Sequence, residues 1–207
     1  MVSHLKFFRK FWILFSDIFC ACWDASFARG FLSSEQRRTV IRLIPKPVPE
    51  HDKYKFTKSR RPISLLNIDY KIISKAYTLR LLRVIDSLIS SELAYLKERF
   101  ICEHIRTLSD LIAYYEESGQ EGYIVFHDFE KAFDSIEWDF IYAMLEAMNF
   151  PPSFVTGVKI LNNQLTGSII VNSELTDFFT FARGCRQGES LSAFSVHSFN
   201  AGFCFFL

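Results

Sequence analysis

Asp128 closes an apolar, β-prone run (Tyr123, Ile124, Val125, Phe126), and Phe133 follows five residues later. An acidic side chain delivered at the carboxyl end of a strand, beside a bulky wall, can hold a divalent cation next to a nucleotide, because hard cations take oxygen ligands. Taken alone, an Asp in this setting more commonly ends a strand or opens a turn. A second cluster reads Arg183-Gly184-Cys185-Arg186-Gln187-Gly188, with Leu191-Ser192 just beyond, and its Gln187 lies 59 residues after Asp128. Its glycines would let the backbone approach a substrate closely, while a Gly-rich loop without other signals would mean little. A third group, Arg61-Pro62-Ile63-Ser64 with Lys46 upstream, supplies cations. Arg suits phosphate because its planar fork bonds two oxygens at once.

The surrounding charge fits that chemistry. The chain has 207 residues, enough to bury a sizeable core, and a formal net charge of +1 that favours no partner by itself. Between Arg37 and Arg61, however, nine basic residues face two acidic ones, whereas the stretch from Glu116 to Asp139 is acidic. Phosphates need cations and divalent metals need carboxylates, so the division suits a nucleic-acid enzyme. Without motifs it would describe two solvated faces. The five cysteines (Cys20, Cys22, Cys102, Cys185, Cys204) form no CxxC pair or zinc spacing, as expected of thiols in a reducing compartment.

The elements that must position these groups are legible in outline. A helix is expected from Leu5 to about Ala28; Phe8, Trp12, Phe15, Ile18, Phe19 and Cys22 fall at helical spacing and predict a buried amphipathic face. The run Phe11 to Trp23 resembles a signal peptide, but Asp17 interrupts it and it falls short of the ~20 apolar residues a span takes. Ser33 or Ser34 opens a short turn, and Thr39–Ile44 reads as a strand stopped by Pro45. Prolines and cations mark 45–62 as a surface loop. Asp69 begins a helix whose apolar face is Ile72, Ile73, Ala76, Leu79, Leu82, Ile85 and Ile89. Another helix covers about Arg106 to Tyr115, and Gly122–Asp128 is a strand, with His127 on the face opposite Asp128. Asp134 reads as an N-cap in a capping box with Glu137, opening a helix through Met148 and Asn149. Phe154–Leu165 is helical, and Ile169–Val171 pairs with Phe178–Phe181 across Asn172-Ser173-Glu174.

The wording DFEKAFDSIEW around Asp128 resembles the first catalytic motif of reverse transcriptases of non-LTR (LINE-type) retrotransposons. RGCRQG resembles that family's RGxRQG, and Arg61–Asn67 with Asp69–Ile72 and Ser74-Lys75 resembles its RPISLLN-x-DYKI-x-SK. Leu43–Lys46 matches its LIPK, and Phe27–Arg38 looks like its leader. Group II intron and retron enzymes share the metal-site logic, but the Arg61–Lys75 wording favours the LINE type.

That resemblance implies a right-hand polymerase fragment, fingers plus partial palm, of α+β class: helix-rich with a small antiparallel sheet. The expected division is a helical leader (1–35), a fingers-like region (36–120), a partial palm (121–192) and an apolar tail (193–207). The family's reaction uses two Mg²⁺ ions ~3.5–4 Å apart to join deoxynucleotides to a DNA primer on an RNA template. By resemblance Asp128 is catalytic and binds metal, with the Phe129 carbonyl as a further ligand. Phe133 is the gate that would clash with a ribose 2′ hydroxyl. Arg61, and more weakly Lys46, would grip the triphosphate, while Gln187 and Gly188 would meet the nucleotide and template.

Departures from the pattern set expectations too. Ser190 stands in place of a proline, Arg60 in place of a tryptophan, and Glu98 in place of a small residue. No YxDD occurs in the 207 residues, and Ser190–Leu207 holds no Asp, Glu, Lys or Arg. One catalytic carboxylate of three predicts a fragment inactive on its own. The alternative is a non-catalytic RNA-binding remnant using the basic 53–61 segment; a secreted or membrane-anchored product is a third reading. An intracellular setting (cytoplasm or nucleus) without stable membrane association is expected.

Overall fold

The computed structural model describes residues 2–46, 60–84, 101–124 and 131–191. Helix α1 runs Val2–Arg29 and ends where Gly30 adopts φ +78°, its N–H reaching the Ser26 carbonyl at 3.0 Å. The turn after it is a four-residue helix, α2 (Ser34–Arg37), closed by a capping box between Ser33 and Gln36. Strand β1 (Arg38–Pro45) follows.

Residues 60–62 leave the expected loop and enter strand β2 (Arg60–Leu66), antiparallel to β1 with Leu43 opposite Pro62. Pro62 is tolerated because β2 is an edge strand, where a missing N–H breaks no second ladder. Strand β3 (Thr166–Val171) lies on the other side of β1 and runs parallel to it. The sheet is therefore mixed rather than antiparallel as expected: a parallel neighbour needs a crossover, and the intervening helices supply it. Asn172 and Ser173, both at positive φ (51° and 69°), turn the chain into β4 (Glu174–Leu175). The expected hairpin partner arrives afterwards as β5 (Phe179–Thr180), pairing with Thr166 and Gly167 rather than with Ile169–Val171.

Helix α3 (Ile68–Leu81) buries Tyr70, Ile73, Ser74, Tyr77, Thr78 and Leu81. This corrects the expected face: Ala76, Leu79 and Leu82 are exposed, and Ile85 and Ile89 lie outside the described residues. Counting apolar letters misses the stripe because four of its six members carry hydroxyls. Thr78 Oγ1 donates within the helix to the Ser74 carbonyl at 2.8 Å, whereas the Tyr70 and Ser74 hydroxyls donate to Glu189, far along the chain. Helix α4 (Ile101–Ser118) is longer than expected and ends at Gly119, φ +63°. Gly122, Tyr123 and Ile124 are in no strand, and Tyr123 is 95% exposed; the rest of the expected strand lies outside the described residues.

Asp134 is not an N-cap. It falls inside the short helix α5 (Ala132–Ser135), and Glu137 takes the N-cap position of α6 (Trp138–Ala147) without a side-chain capping bond. Helix α6 stops before Met148, and α7 (Pro152–Asn162) begins two residues before the expected Phe154 and ends three before the expected Leu165. Tyr70, Leu81, Ile141, Leu145, Val158 and Leu161 of α3, α6 and α7 form the core under the sheet. Rings extend it: Trp23 meets Tyr77 edge-on at 5.6 Å, and Tyr77 meets Phe154 at 5.1 Å.

The amino-terminal helix is not the buried amphipathic element expected. Lys10–Arg29 is almost wholly unburied, with Ser26 its one buried residue, and this 20-residue stretch is long and apolar enough, by length and composition, to cross a bilayer. Phe19 and Trp23 pack against the core, while Trp12, Ile13, Leu14, Phe15 and Ile18 are exposed.

Candidate functional site

Arg183–Leu191 is where the sequence motifs converge. Gly184 donates its N–H to the Ile136 carbonyl (2.8 Å), and Cys185 donates to the Phe133 carbonyl (2.6 Å). Trp138 Nε1 donates to the Gly184 carbonyl at 2.9 Å. Only glycine fits at 184, because its φ is +89° and a Cβ would sit 3.1 Å from the carbonyl oxygens of both Phe133 and Asp134. Farther along, the Ser64 N–H donates to the Gln187 carbonyl at 2.9 Å. Gly188, at φ +111°, passes so close that a Cβ would lie 3.0 Å from the Ser64 carbonyl. One loop is thus tied to α5 on one side and to β2 on the other.

A partly open cleft of about 200 Å³ is walled by Ile41, Pro62 and Ser64 of the sheet, by Asp134, and by the loop from Arg183 to Gln187. A larger groove of about 950 Å³ lies elsewhere, with Trp23, Phe27, Tyr77 and Phe154 among its walls. It holds none of the motif residues named above as candidates, so the smaller cleft is the functional candidate.

Beneath the loop lies a polar network that reading the sequence missed. Arg186 is buried, its guanidinium carbon 4.0 Å above the Tyr70 ring. Its Nη1 donates to Thr39 Oγ1 at 3.2 Å and its Nη2 to Glu189 Oε2 at 3.5 Å. Glu189 Oε1 accepts from the Tyr70 hydroxyl and, at 3.3 Å, from Ser74 Oγ. Burial above all pushes the Tyr70 phenol well above its ordinary pKa; Arg186 opposes this and the Glu189 carboxylate reinforces it. Tyr70 therefore remains a neutral donor. The available signal was a pair of opposite charges three residues apart in a Gly-rich loop.

The predicted site residues are distributed as follows. Gln187 is half-buried in the cleft wall, with Gly188 exposed beside it. Phe133 is half-buried and packs against the core, while its neighbour Asp134 faces the cleft. Lys46 and Arg61 are exposed near one end of the β1–β2 ribbon, where Pro45 pairs with Arg60 and Ile44 with Arg61. Strand alternation puts Arg61 on the sheet face opposite Pro62 and Ser64, and neither cation lines the cleft. Asp128 and Phe129 lie outside the described residues. Among the described residues no cluster of three His, Cys, Asp or Glu could hold a metal ion, so these residues alone do not compose a magnesium site.

Comparison with known proteins shows what the chain is similar to. The family model described as "Reverse transcriptase (RNA-dependent DNA polymerase)" matches residues 44–203, eleven residues beyond Ser192. The "Transposon TX1 uncharacterized 149 kDa protein" of Xenopus laevis is 32% identical over 189 residues, 91% of this chain. The chain spans about 14% of that relative's length.

Proposed function

Because the chain belongs to the reverse transcriptase (RNA-dependent DNA polymerase) family, we propose that it forms the fingers and part of the palm of a LINE-like retroelement polymerase. One observation carries this reading: the Ser64 N–H of the RPIS strand meets the Gln187 carbonyl at 2.9 Å, in a cleft that also includes Asp134 of the DFEKAFD stretch. Three motifs distant in sequence share one small space, as substrate positioning requires.

In this reading Gln187 and Gly188 contact the incoming deoxynucleotide and template. Phe133, its main chain held by Cys185, excludes a 2′ hydroxyl by bulk. Arg61 and Lys46 at the ribbon end draw in triphosphate. Asp128, with the Phe129 carbonyl, is the proposed ligand for Mg²⁺, which would neutralise phosphate charge when bound. RNA template and DNA primer are the partners, and the setting is the cytoplasm or nucleus.

A polypeptide of these 207 residues contains the first catalytic aspartate but no YxDD, so by itself it should add no nucleotides. Joining it to the YxDD-bearing stretch of a homologous enzyme tests the whole reading. Primer extension on RNA should then appear and vanish with Asp128→Ala. A chimera that folds yet incorporates nothing would refute the proposal, as would incorporation by the 207 residues alone above the Asp128→Ala control.

A further inference from the structure

Arg186 and Glu189 flank Gln187-Gly188 and turn inward, with side chains only 3% and 5% exposed. Exposed loops rarely bury charge, because desolvation costs offset the attraction between the partners. Net stability is therefore a weak reason for the pair, and fixing one arrangement is the better-attested use of buried ions. The geometry has that character. Arg186 reaches β1 through Thr39 and stacks on Tyr70 of α3, while Glu189 takes hydroxyl donors from Tyr70 and Ser74. The Glu189 N–H also returns to the Arg186 carbonyl at 3.1 Å, folding the four residues into a turn. The peptide between the two charges is the one whose carbonyl accepts from Ser64.

We propose that Arg186 and Glu189 are positioning residues: their buried pair, seated on Tyr70, sets Gln187 and Gly188 against β2 so that the loop meets an incoming nucleotide in one conformation. The assignment rests on the reverse transcriptase reading above. Arg186 acts through its fork and its stacked plane, neither of which a lysine provides. Glu189 acts through charge, since glutamine could still accept from Tyr70.

Amide hydrogen exchange on the 207-residue chain tests this directly, because the Ser64 N–H reports whether the loop is seated. Glu189→Gln and Arg186→Lys should each speed exchange at Ser64 and across Cys185–Ser190 by about tenfold, while amides of α7 keep their protection. Glu189→Asp should recover part of the slow exchange. Val158→Ala, a core control, should lower the melting temperature and loosen α7 and the loop together. Exchange at Ser64 unchanged in Glu189→Gln, or raised only in step with α7, overturns the proposal. A separate arm adds Mg²⁺, dTTP and an RNA–DNA primer-template. Slower loop exchange in the wild type, absent in Glu189→Gln, is expected. Its absence in the wild type counts against the polymerase reading, whereas the comparison at Ser64 decides the anchor on its own.

Discussion

The Cys185 N–H and the Phe133 carbonyl meet at 2.6 Å, joining the RGCRQG loop to the DFEKAFD stretch by main chain alone. Because no side chain makes this join, any substitution other than proline at 185 leaves its donor and acceptor intact. The vulnerable position is the neighbouring glycine, whose missing Cβ permits the approach.

Gly184→Ala should therefore cost about 1–3 kcal/mol, since it places a side chain in left-handed backbone and crowds two carbonyls. Urea unfolding would measure the loss. Cys185→Ala, by contrast, should keep the join and cost less than the glycine change.

Gly157→Ala fails for a different reason. Its Cβ would lie 1.8 Å from the Tyr77 hydroxyl oxygen and 2.4 Å from Cζ, and Tyr77 is buried against Trp23 and Phe154. Overpacking of this kind costs ~1–3 kcal/mol. In a Tyr77→Leu background the same alanine should be neutral or stabilising, as alanine favours helix over glycine by about 1 kcal/mol. A double-mutant cycle by thermal unfolding reads the difference.

Trp138→Phe should remove the indole bond to the Gly184 carbonyl, with a loss of about 0.5–1.5 kcal/mol. Glu137→Gln, which breaks the exposed 3.0 Å pair with Arg183, should change stability by less than Trp138→Phe does, since exposed ion pairs contribute from nothing to ~1 kcal/mol. Similar values for the two would contradict the distinction drawn between the loop's anchors and its rim.

Alkaline pH should unfold the protein. Burial, before any other cause, raises the phenol pKa of Tyr70 and Tyr77 and takes Tyr142 from 10.0 to about 12. A pKa raised in the folded state means that the unfolded chain releases the proton first. Stability is thus full below pH 10 and falls as pH rises from there through about 12. Urea midpoints measured from pH 8 upward should decline across that window, and Tyr142→Phe should flatten part of the decline.

Local signals were read well where one element suffices. Gly30 and Gly119 end helices at positive φ, and Ser33 caps α2 as its type suggests. Phasing of α3 is hidden because Tyr70, Ser74, Tyr77 and Thr78 count as polar or ambiguous letters, and Tyr70 and Ser74 meet their partner Glu189 only in the folded chain. Burial of α1 was also misjudged: helical spacing tells which residues share a face, not whether another element covers it.

By itself the sequence determined the chemistry on offer, the family wording at Asp128, Arg61 and Gln187, and the ends of α1 and α4 near Gly30 and Gly119, because these depend on residue type and short-range geometry. Tertiary structure alone decided that β3 runs parallel to β1, and that Arg186, Glu189 and Tyr70 share one buried site. Each of those depends on contacts across 116 to 147 positions of chain, which propensity and periodicity do not encode.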